Sequence, residues 1–460
     1  MIPVSMSRSE FGIKLNSLVS PALPIQSIEF LQGRTRELDR IEKALFAAGR
    51  HIFIYGDRGV GKSSLAATAA NQLQSSDAPY IDVSGAPDAT LRSIVANIAY
   101  KAIEASRIHS TKRSSSADAG FRFLGASLGV RSSTDTTLRN LHSEIQTLGD
   151  AVETLREVTE LYSDRTFVVL DEFDRIGMPS ERHLFADLLK QLADKKVPIT
   201  FMFTGVGRSL TELLGAHPSS IRQLETVELQ KLSWDSRWDI ATRAAEAFGL
   251  TLDEQVKVRL AAVSDGYPYY VHLITEKMLW RAFEAESSVS VIEPEIYLSG
   301  LRDAIEGVNA ELKSHYDQAV THQPEEFAEV LWAAADSDFV DRTQDDVFTS
   351  YGYVMEQRRE LQRTALDRAR FSAVMSKLKS KTCGPILMTT TVNGLPKKGW
   401  VSFRENLLRG FVRMQAESSG VELLGLVEAA PDPQGKTHYK PQRQYASMIP
   451  RGVHTGRRRG

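Results

Sequence analysis

The sequence predicts an α/β protein: a three-layer core with a parallel five-stranded sheet, then a helical lid, then a C-terminal winged helix-turn-helix. Three observations carry that prediction. Short apolar runs alternate with helical patterns through the first half of the chain, a glycine-rich turn joins the first of these runs to a helix, and a later run ends in two adjacent acids.

The first run is Ile52-Phe53-Ile54-Tyr55, followed directly by Gly56-Asp57-Arg58-Gly59-Val60-Gly61-Lys62-Ser63-Ser64. This is a complete phosphate-binding loop of the form GxxxxGK[ST], in the strand-then-helix context that such a loop requires. Its glycines let consecutive backbone N–H groups turn inward around a phosphate, and the helix beginning near Lys62 adds the positive end of its dipole. Lys62 is expected to reach the β- and γ-phosphate oxygens of a nucleoside triphosphate, ATP, and the Ser63 hydroxyl to bind Mg²⁺.

Further strands are expected at residues 80–83, 166–170, 199–204 and 226–229, with helical segments between them. Alternation of this kind places ligands at the carboxyl ends of the strands. The third strand, Phe167-Val168-Val169-Leu170, runs into Asp171-Glu172. Strands often end in solvated charges, so the pattern alone says little. Paired with the upstream loop, it assigns Asp171 to Mg²⁺ and Glu172 to polarising the attacking water. A Glu after the Asp argues for hydrolysis and against a kinase or small GTPase.

Composition bounds the rest. A chain of 460 residues is too long for one ordinary core. Its net charge of −2 leaves any nucleic-acid contact to local patches. A single cysteine, Cys383, excludes a disulfide scaffold and fits a reducing cytoplasm, while the ten histidines lack metal-ligand spacing. Neither a membrane span nor a signal peptide is expected.

The domains are expected at residues 1–28 (an extended N-terminal arm), 29–232 (the ATPase core), 233–304 (the lid), 305–418 (the winged helix) and 419–460 (a basic tail). Within the core, the segment from Lys112 to Val130 reads as a polar, then glycine-rich and aromatic, insertion. It is either an ordered surface loop or a contact to DNA or a neighbouring subunit. In the lid, helical patterns at residues 234–248 and 253–263 precede the turn Asp265-Gly266-Tyr267-Pro268, which opens another helix. A basic helix from Arg368 to Lys381 and a hairpin at residues 386–391 and 400–403, tipped by Lys397 and Lys398, have the arrangement of a groove helix and a wing. Beyond Asp432 the chain carries bases and no acid, so the tail is either a DNA anchor or a solvated terminus.

The box Gln32-Gly33-Arg34-Thr35-Arg36-Glu37-Leu38, the two phosphate-site motifs, Gly266-Tyr267-Pro268 and the stretch from Trp400 to Arg409 together resemble the AAA+/STAND group of P-loop ATPases, in particular those related to origin-recognition proteins. The resemblance implies that Gly33 and Arg34 border the adenine and that Tyr267 and Pro268 close over the base and ribose. It implies that Thr204 contacts the γ-phosphate or the lytic water, and that Arg222 is an arginine finger toward a neighbouring subunit of a homo-oligomer. Arg222 as a surface residue paired with Glu225 is the alternative. The Gly-x-Pro form of the lid turn is the STAND signature and implies a slow switch. The function implied is a cytoplasmic ATP-driven switch that binds duplex DNA; the competing reading is an antiphage-defence or signalling regulator acting on a separate effector protein.

Overall fold

The computed structural model describes residues 6–21, 31–47, 49–74, 78–109, 134–163, 165–206, 221–286, 288–361, 363–392 and 395–423. The insertion around residues 110–133, the tip of the C-terminal hairpin at residues 393–394 and the basic tail beyond residue 423 lie outside them. The chain forms two compact units. One comprises Pro24–Asp57 and Gly61–Gln230, the other Met1–Leu23, Arg58–Val60 and Lys231–Gly460.

In the first unit, helix α2 (Thr35–Leu45) precedes strand β1 (His51–Tyr55), and α3 (Lys62–Leu73) follows the glycine-rich turn. Strands β2 (Ile81–Ser84), β3 (Thr166–Asp171), β4 (Ile199–Gly205) and β5 (Leu224–Glu228) complete a parallel sheet of order β2-β3-β4-β1-β5. All five strands fall within two residues of the positions expected from the sequence. The physical reason is visible in their burial. The inner strands β1, β3 and β4 are covered on both faces and are apolar almost throughout, whereas edge strand β2 alternates buried and exposed residues.

Helices α4 (Leu91–His109), α5 (Thr134–Glu144), α6 (Leu148–Tyr162) and α7 (Pro179–Asp194) supply one covering layer. Leu155, Val158, Leu188 and Leu189 from this layer pack with Phe53, Val168, Leu170 and Phe203 of the sheet in one core. Ile52 and Ile54, on the opposite face of β1, are equally buried, and α2 and α3 pack against the sheet from that side. The core thus has the three-layer P-loop α/β fold.

The second unit holds helices α8 (Trp234–Glu246), α9 (Glu254–Val263), α10 (Pro268–Glu284) and α11 (Pro294–Gly307), joined by the short parallel pair β6 (Thr251–Leu252) and β7 (Val291–Ile292). Pro268 occupies the first helical turn of α10, where its missing N–H has no partner to lose. The same unit continues through α12 (Ala310–Val320), α13 (Glu326–Ala335), strand β8 (Arg342–Thr343), α14 (Gln344–Gln357) and α15 (Arg368–Leu378). Strands β9 (Leu387–Val392) and β10 (Leu395–Phe403) then form an antiparallel sheet of order β8-β10-β9, and α16 (Asn406–Ser418) closes the described chain. Residues 395–399, expected to belong to a long turn, instead extend β10, with a register irregularity between Pro396 and Val401.

The expected extended arm is corrected by the structure. Arg8–Leu18 form helix α1, opened by a capping box in which Ser7 and Glu10 satisfy each other's backbone N–H groups. Phe11 is completely buried, with its ring centroid 4.3 Å from that of Phe283, 4.6 Å from Phe248 and 4.8 Å from Trp280. Lys14 adds a 2.6 Å hydrogen bond to the Ala247 carbonyl oxygen.

Candidate functional site

Sheet register brings the expected site residues together at the carboxyl end of the strands. Ile54 on β1 pairs with Thr204 on β4, Leu170 on β3 with Phe203, and Ser84 on β2 with Asp171. The glycine-rich turn therefore leaves β1 two strands from the acids. It bends through Gly56 (φ 152°), Gly59 (φ 82°) and Gly61 (φ 93°), and Gly61 caps α3 in the left-handed region, which a side chain disfavours. Lys62 folds back over this turn, donating to the carbonyl oxygens of Asp57 (2.7 Å) and Gly56 (3.1 Å). Burial lowers its pKa, while the carboxylates of Asp174, Asp171, Asp57 and Glu172 act in the opposite sense. Such a desolvated cation among carbonyls has a strong electrostatic preference for an anion.

Asp171 is the centre of the acidic side of the site. Its Oδ1 accepts from Ser63 Oγ at 2.9 Å, from the Thr204 hydroxyl, and from the Glu172 N–H at 3.0 Å. Thr204 is fully buried and also accepts from the Glu172 N–H at 3.1 Å. It thus holds both acids in place from the neighbouring strand.

Glu172 has φ 53° and ψ 41°, a left-handed conformation that costs a non-glycine residue on the order of 1 kcal/mol. Two neighbours hold it there. Phe173 is buried against Phe203 and Phe185, with centroids 5.1 and 5.3 Å away, and the Arg175 N–H donates to the Glu172 carbonyl oxygen at 2.9 Å. The Glu172 carboxylate points outward and pairs with Arg175, both side chains about half exposed.

Several residues of the site were missed by the sequence reading. Gly85 follows β2, and its N–H donates to the Asp171 carbonyl oxygen at 2.7 Å. A Cβ at Gly85 would lie 2.3 Å from the Glu172 carbonyl oxygen, so only glycine admits this approach. Asp174 accepts from the Val206 N–H at 2.9 Å and so fixes the exit of β4. A glycine after a strand and acids beyond a strand end are common in sequences, and the close approach that marks these is visible only in three dimensions.

The remaining expected residues occupy varied settings. Gly33 has φ 71°, and the Arg34 side chain is buried, donating to the Gln230 carbonyl oxygen at 2.7 Å. Its guanidinium thereby ties the start of α2 to the end of β5. Arg222 is exposed and lies just ahead of β5. Its suggested partner, Glu225, is engaged instead by Arg40 at 2.7 Å and Arg50 at 3.0 Å. Tyr267 is fully buried, with Lys231 Nζ 4.8 Å from its ring centroid, while Pro268 next to it is partly exposed.

The ligand chemistry of these residues fits a magnesium nucleotide. Left-handed glycines open the turn, Lys62 supplies a cation, and Ser63 and Asp171 supply adjacent hard oxygen donors of the kind Mg²⁺ takes. Residues 31–202 match the family described as AAA ATPase domain. The match to the AAA ATPase domain runs from the approach to α2 into β4 and so includes Lys62, Ser63, Asp171 and Glu172, but stops short of Arg222.

Among solved structures, the chain is similar to the Walker-type ATPase paby2304 of Pyrococcus abyssi, at 14% identity over 85% of this chain and 99% of that one, with a TM-score of 0.49. It is similar to Cdc6p of Pyrobaculum aerophilum at 17% identity, covering 87% of this chain and 98% of that one, with a TM-score of 0.40. For the Aeropyrum pernix ORC1 protein in complex with DNA, identity is 15%, coverage 88% of this chain and 97% of that one, and the TM-score 0.42. No curated protein matches the sequence. Among the described residues, no helix is long and apolar enough to cross a membrane.

The C-terminal segment presents the expected basic helix as α15. Ala369, Arg370, Ala373, Ser376 and Lys377 are exposed on it, while Phe371, Val374, Met375 and Leu378 are buried. Arg368 is ion-paired with Asp345 and its guanidinium lies 4.8 Å from the ring centroid of Phe348. Lys398 is exposed and Lys397 half-buried on β10, and Leu395 keeps 72% of its surface exposed.

Proposed function

We propose that this protein is an ATP-hydrolysing molecular switch that self-associates and binds duplex DNA through its C-terminal segment. The observation that carries the reading is the hydrogen-bonded set Ser63, Asp171, Glu172 and Thr204, facing Lys62 at the carboxyl end of the sheet. Ser63 and Asp171 would hold Mg²⁺, which would supply charge neutralisation at the β- and γ-phosphates. Lys62 exchanges its loop carbonyls for phosphate oxygens, and the glycine-rich turn from Gly56 through Asp57, Arg58, Gly59, Val60 and Gly61 to Ser64 supplies backbone N–H donors. Glu172 leaves Arg175 to accept a proton from the attacking water. Thr204 keeps Asp171 and Glu172 in register through that step. Gly33 and Arg34 border the adenine, and the family resemblance assigns Tyr267 and Pro268 to the base and ribose.

Arg222 acts on the nucleotide of a neighbouring copy. It is exposed, and the carboxylate that a surface role would give it is held by Arg40 and Arg50. For the C-terminal segment the proposed form is a winged helix, with α15 in the major groove and β9–β10 as the wing. The small and basic exposed face of α15 suits close approach to base edges and phosphates. Fluorescence anisotropy of a duplex across a salt series tests this: Lys397→Ala with Lys398→Ala lowers the slope of log K against log salt by about 0.9 for each phosphate left without its lysine. A wild-type protein that binds no duplex at low salt with ATP present excludes the DNA reading.

An effector protein in place of DNA is the second reading. It is favoured by the burial of ion pairs between α16 and the 265–268 turn, which suits an intramolecular clamp.

A further inference from the structure

Asp265 lies directly before the Gly266-Tyr267-Pro268 turn and is 1% exposed, with φ 52°. A buried carboxylate in a left-handed backbone is doubly unfavourable unless its surroundings require it. Here they do. Arg409 on α16 grips both oxygens, Nε to Oδ2 at 2.7 Å and Nη2 to Oδ1 at 2.8 Å, although the two residues are 144 positions apart. Lys231 reaches Oδ2 at 3.0 Å and Arg413 Nη1 lies 3.5 Å from Oδ1.

The arginines of α16 bind more than Asp265. Arg409 also donates to the carbonyl oxygens of Asp338 (3.1 Å) and Phe339. Arg413 donates to Ala262 at the end of α9 (2.6 Å), Ala335 at the end of α13 (2.9 Å) and Ser337 (2.6 Å). Arg413 therefore satisfies backbone carbonyls at two helix C-termini, where the helix dipole favours a cation, while Arg409 satisfies carbonyls of the loop that follows α13. One helix of the C-terminal segment thus holds the turn before α10 and the loop between α13 and β8 in a single buried cluster. A second contact runs alongside: Tyr270 donates its hydroxyl to the Leu407 carbonyl oxygen at 2.7 Å, and a Cβ on Gly410 would come within 2.4 Å of the Tyr270 ring.

Burying so many charges is a poor way to gain stability, since apolar residues of similar volume do as well or better. What an ionic cluster provides is a single register. Gly266 shows how tightly that register is set, because a Cβ there would meet Arg237 Nη2 and Lys231 Cβ, each at 2.8 Å.

We propose that the Asp265–Arg409 pair is a pin that makes the Gly266-Tyr267-Pro268 turn and the C-terminal segment respond to nucleotide as one piece. Asp265 and Arg409 are positioning residues. Both are buried, and the proposal rests on the assignment of that turn to the nucleotide site. Burial pushes the Lys231 pKa down to about 7, with the neighbouring Arg409 charge acting in the same sense and Asp265 against it.

The test is hydrogen exchange of the full chain with and without Mg-ATP, followed in peptides covering residues 56–66, 262–270 and 404–418. In the wild type, nucleotide slows exchange in all three by about fivefold or more, the low end of ordinary site-to-site coupling. In Asp265→Asn with Arg409→Gln, residues 56–66 keep their response and residues 404–418 lose theirs. Arg409→Lys, which keeps the charge but loses the two-pronged grip, gives a reduced response and decides the matter if the double variant does not fold. A folded double variant, or Arg409→Lys in its place, that transmits fully overturns the pin, as does a wild type responding at 56–66 and 262–270 but not at 404–418. No response at 56–66 in the wild type defeats the nucleotide assignment itself, and the pin falls with it.

Discussion

Ser63 donates its hydroxyl to Asp171 across 2.9 Å, joining the first turn of α3 to the end of β3 over 108 positions of sequence. The pair places two hard oxygen donors side by side before any ion arrives. Preorganisation of this kind limits the reorganisation needed on binding. Thr204 extends it by holding Asp171 and the Glu172 N–H from the adjacent strand.

If Arg222 serves a neighbour's site, two defective chains repair one another. Arg222→Ala and Glu172→Gln are each expected to lower ATP turnover, the former by about 10³-fold, the low end for an arginine finger. Mixing the two restores part of the activity, because some interfaces combine an intact Glu172 with an intact Arg222. Phosphate release measured across mixing ratios checks this, with co-assembly established separately; a flat response removes Arg222 from the site.

Helix α1 stabilises the second unit through Phe11, whose ring touches Phe248, Trp280 and Phe283. Phe11→Ala is expected to destabilise that unit by about 3–5 kcal/mol, the usual range for emptying a buried aromatic site. Denaturant unfolding followed by tryptophan fluorescence reads the change, since Trp280 lies against Phe11. A midpoint equal to wild type contradicts the packing role.

How much of this was legible in the sequence depends on the range of the interaction. The inner strands are legible because burial on both faces makes them continuous apolar runs, and the phosphate loop because backbone geometry dictates its glycines. Helix α1 is hard to see in the sequence because it buries only Phe11 and Leu15, leaving little periodicity, although its Ser7…Glu10 capping box marks its start. Asp265 could not be singled out, since its partner Arg409 lies in another helix 144 positions away. The enclosure of Tyr267 is hidden for the same reason.

Two buried histidines set an acid limit on stability. Burial lowers the pKa of His51 to about 3 and that of His272 to about 4, from 6.5 in the unfolded chain. Between 6.5 and these values the unfolded state binds more protons than the folded one, so stability is intact above pH 6.5 and falls as the pH drops toward 4 and then 3. Melting temperatures from pH 7.5 to 4.5 should decline, and His51→Gln with His272→Gln should flatten the decline even though it lowers the starting value. An equal slope in the variant excludes the histidines as its source.

Lys62 binding nucleotide and Glu172 turning it over are separable roles, and a paired measurement separates them: equilibrium binding of a fluorescent ATP analogue with Mg²⁺, and phosphate release, for wild type, Lys62→Ala and Glu172→Gln. Lys62→Ala is expected to lose binding, because it removes the cation held over the Gly56 and Asp57 carbonyls. Glu172→Gln is expected to keep wild-type affinity and to lower hydrolysis by about 10²-fold or more, since the amide keeps the shape but accepts no proton. Equal loss of affinity in both variants, or hydrolysis undiminished in Glu172→Gln, would contradict the division of labour between the two residues.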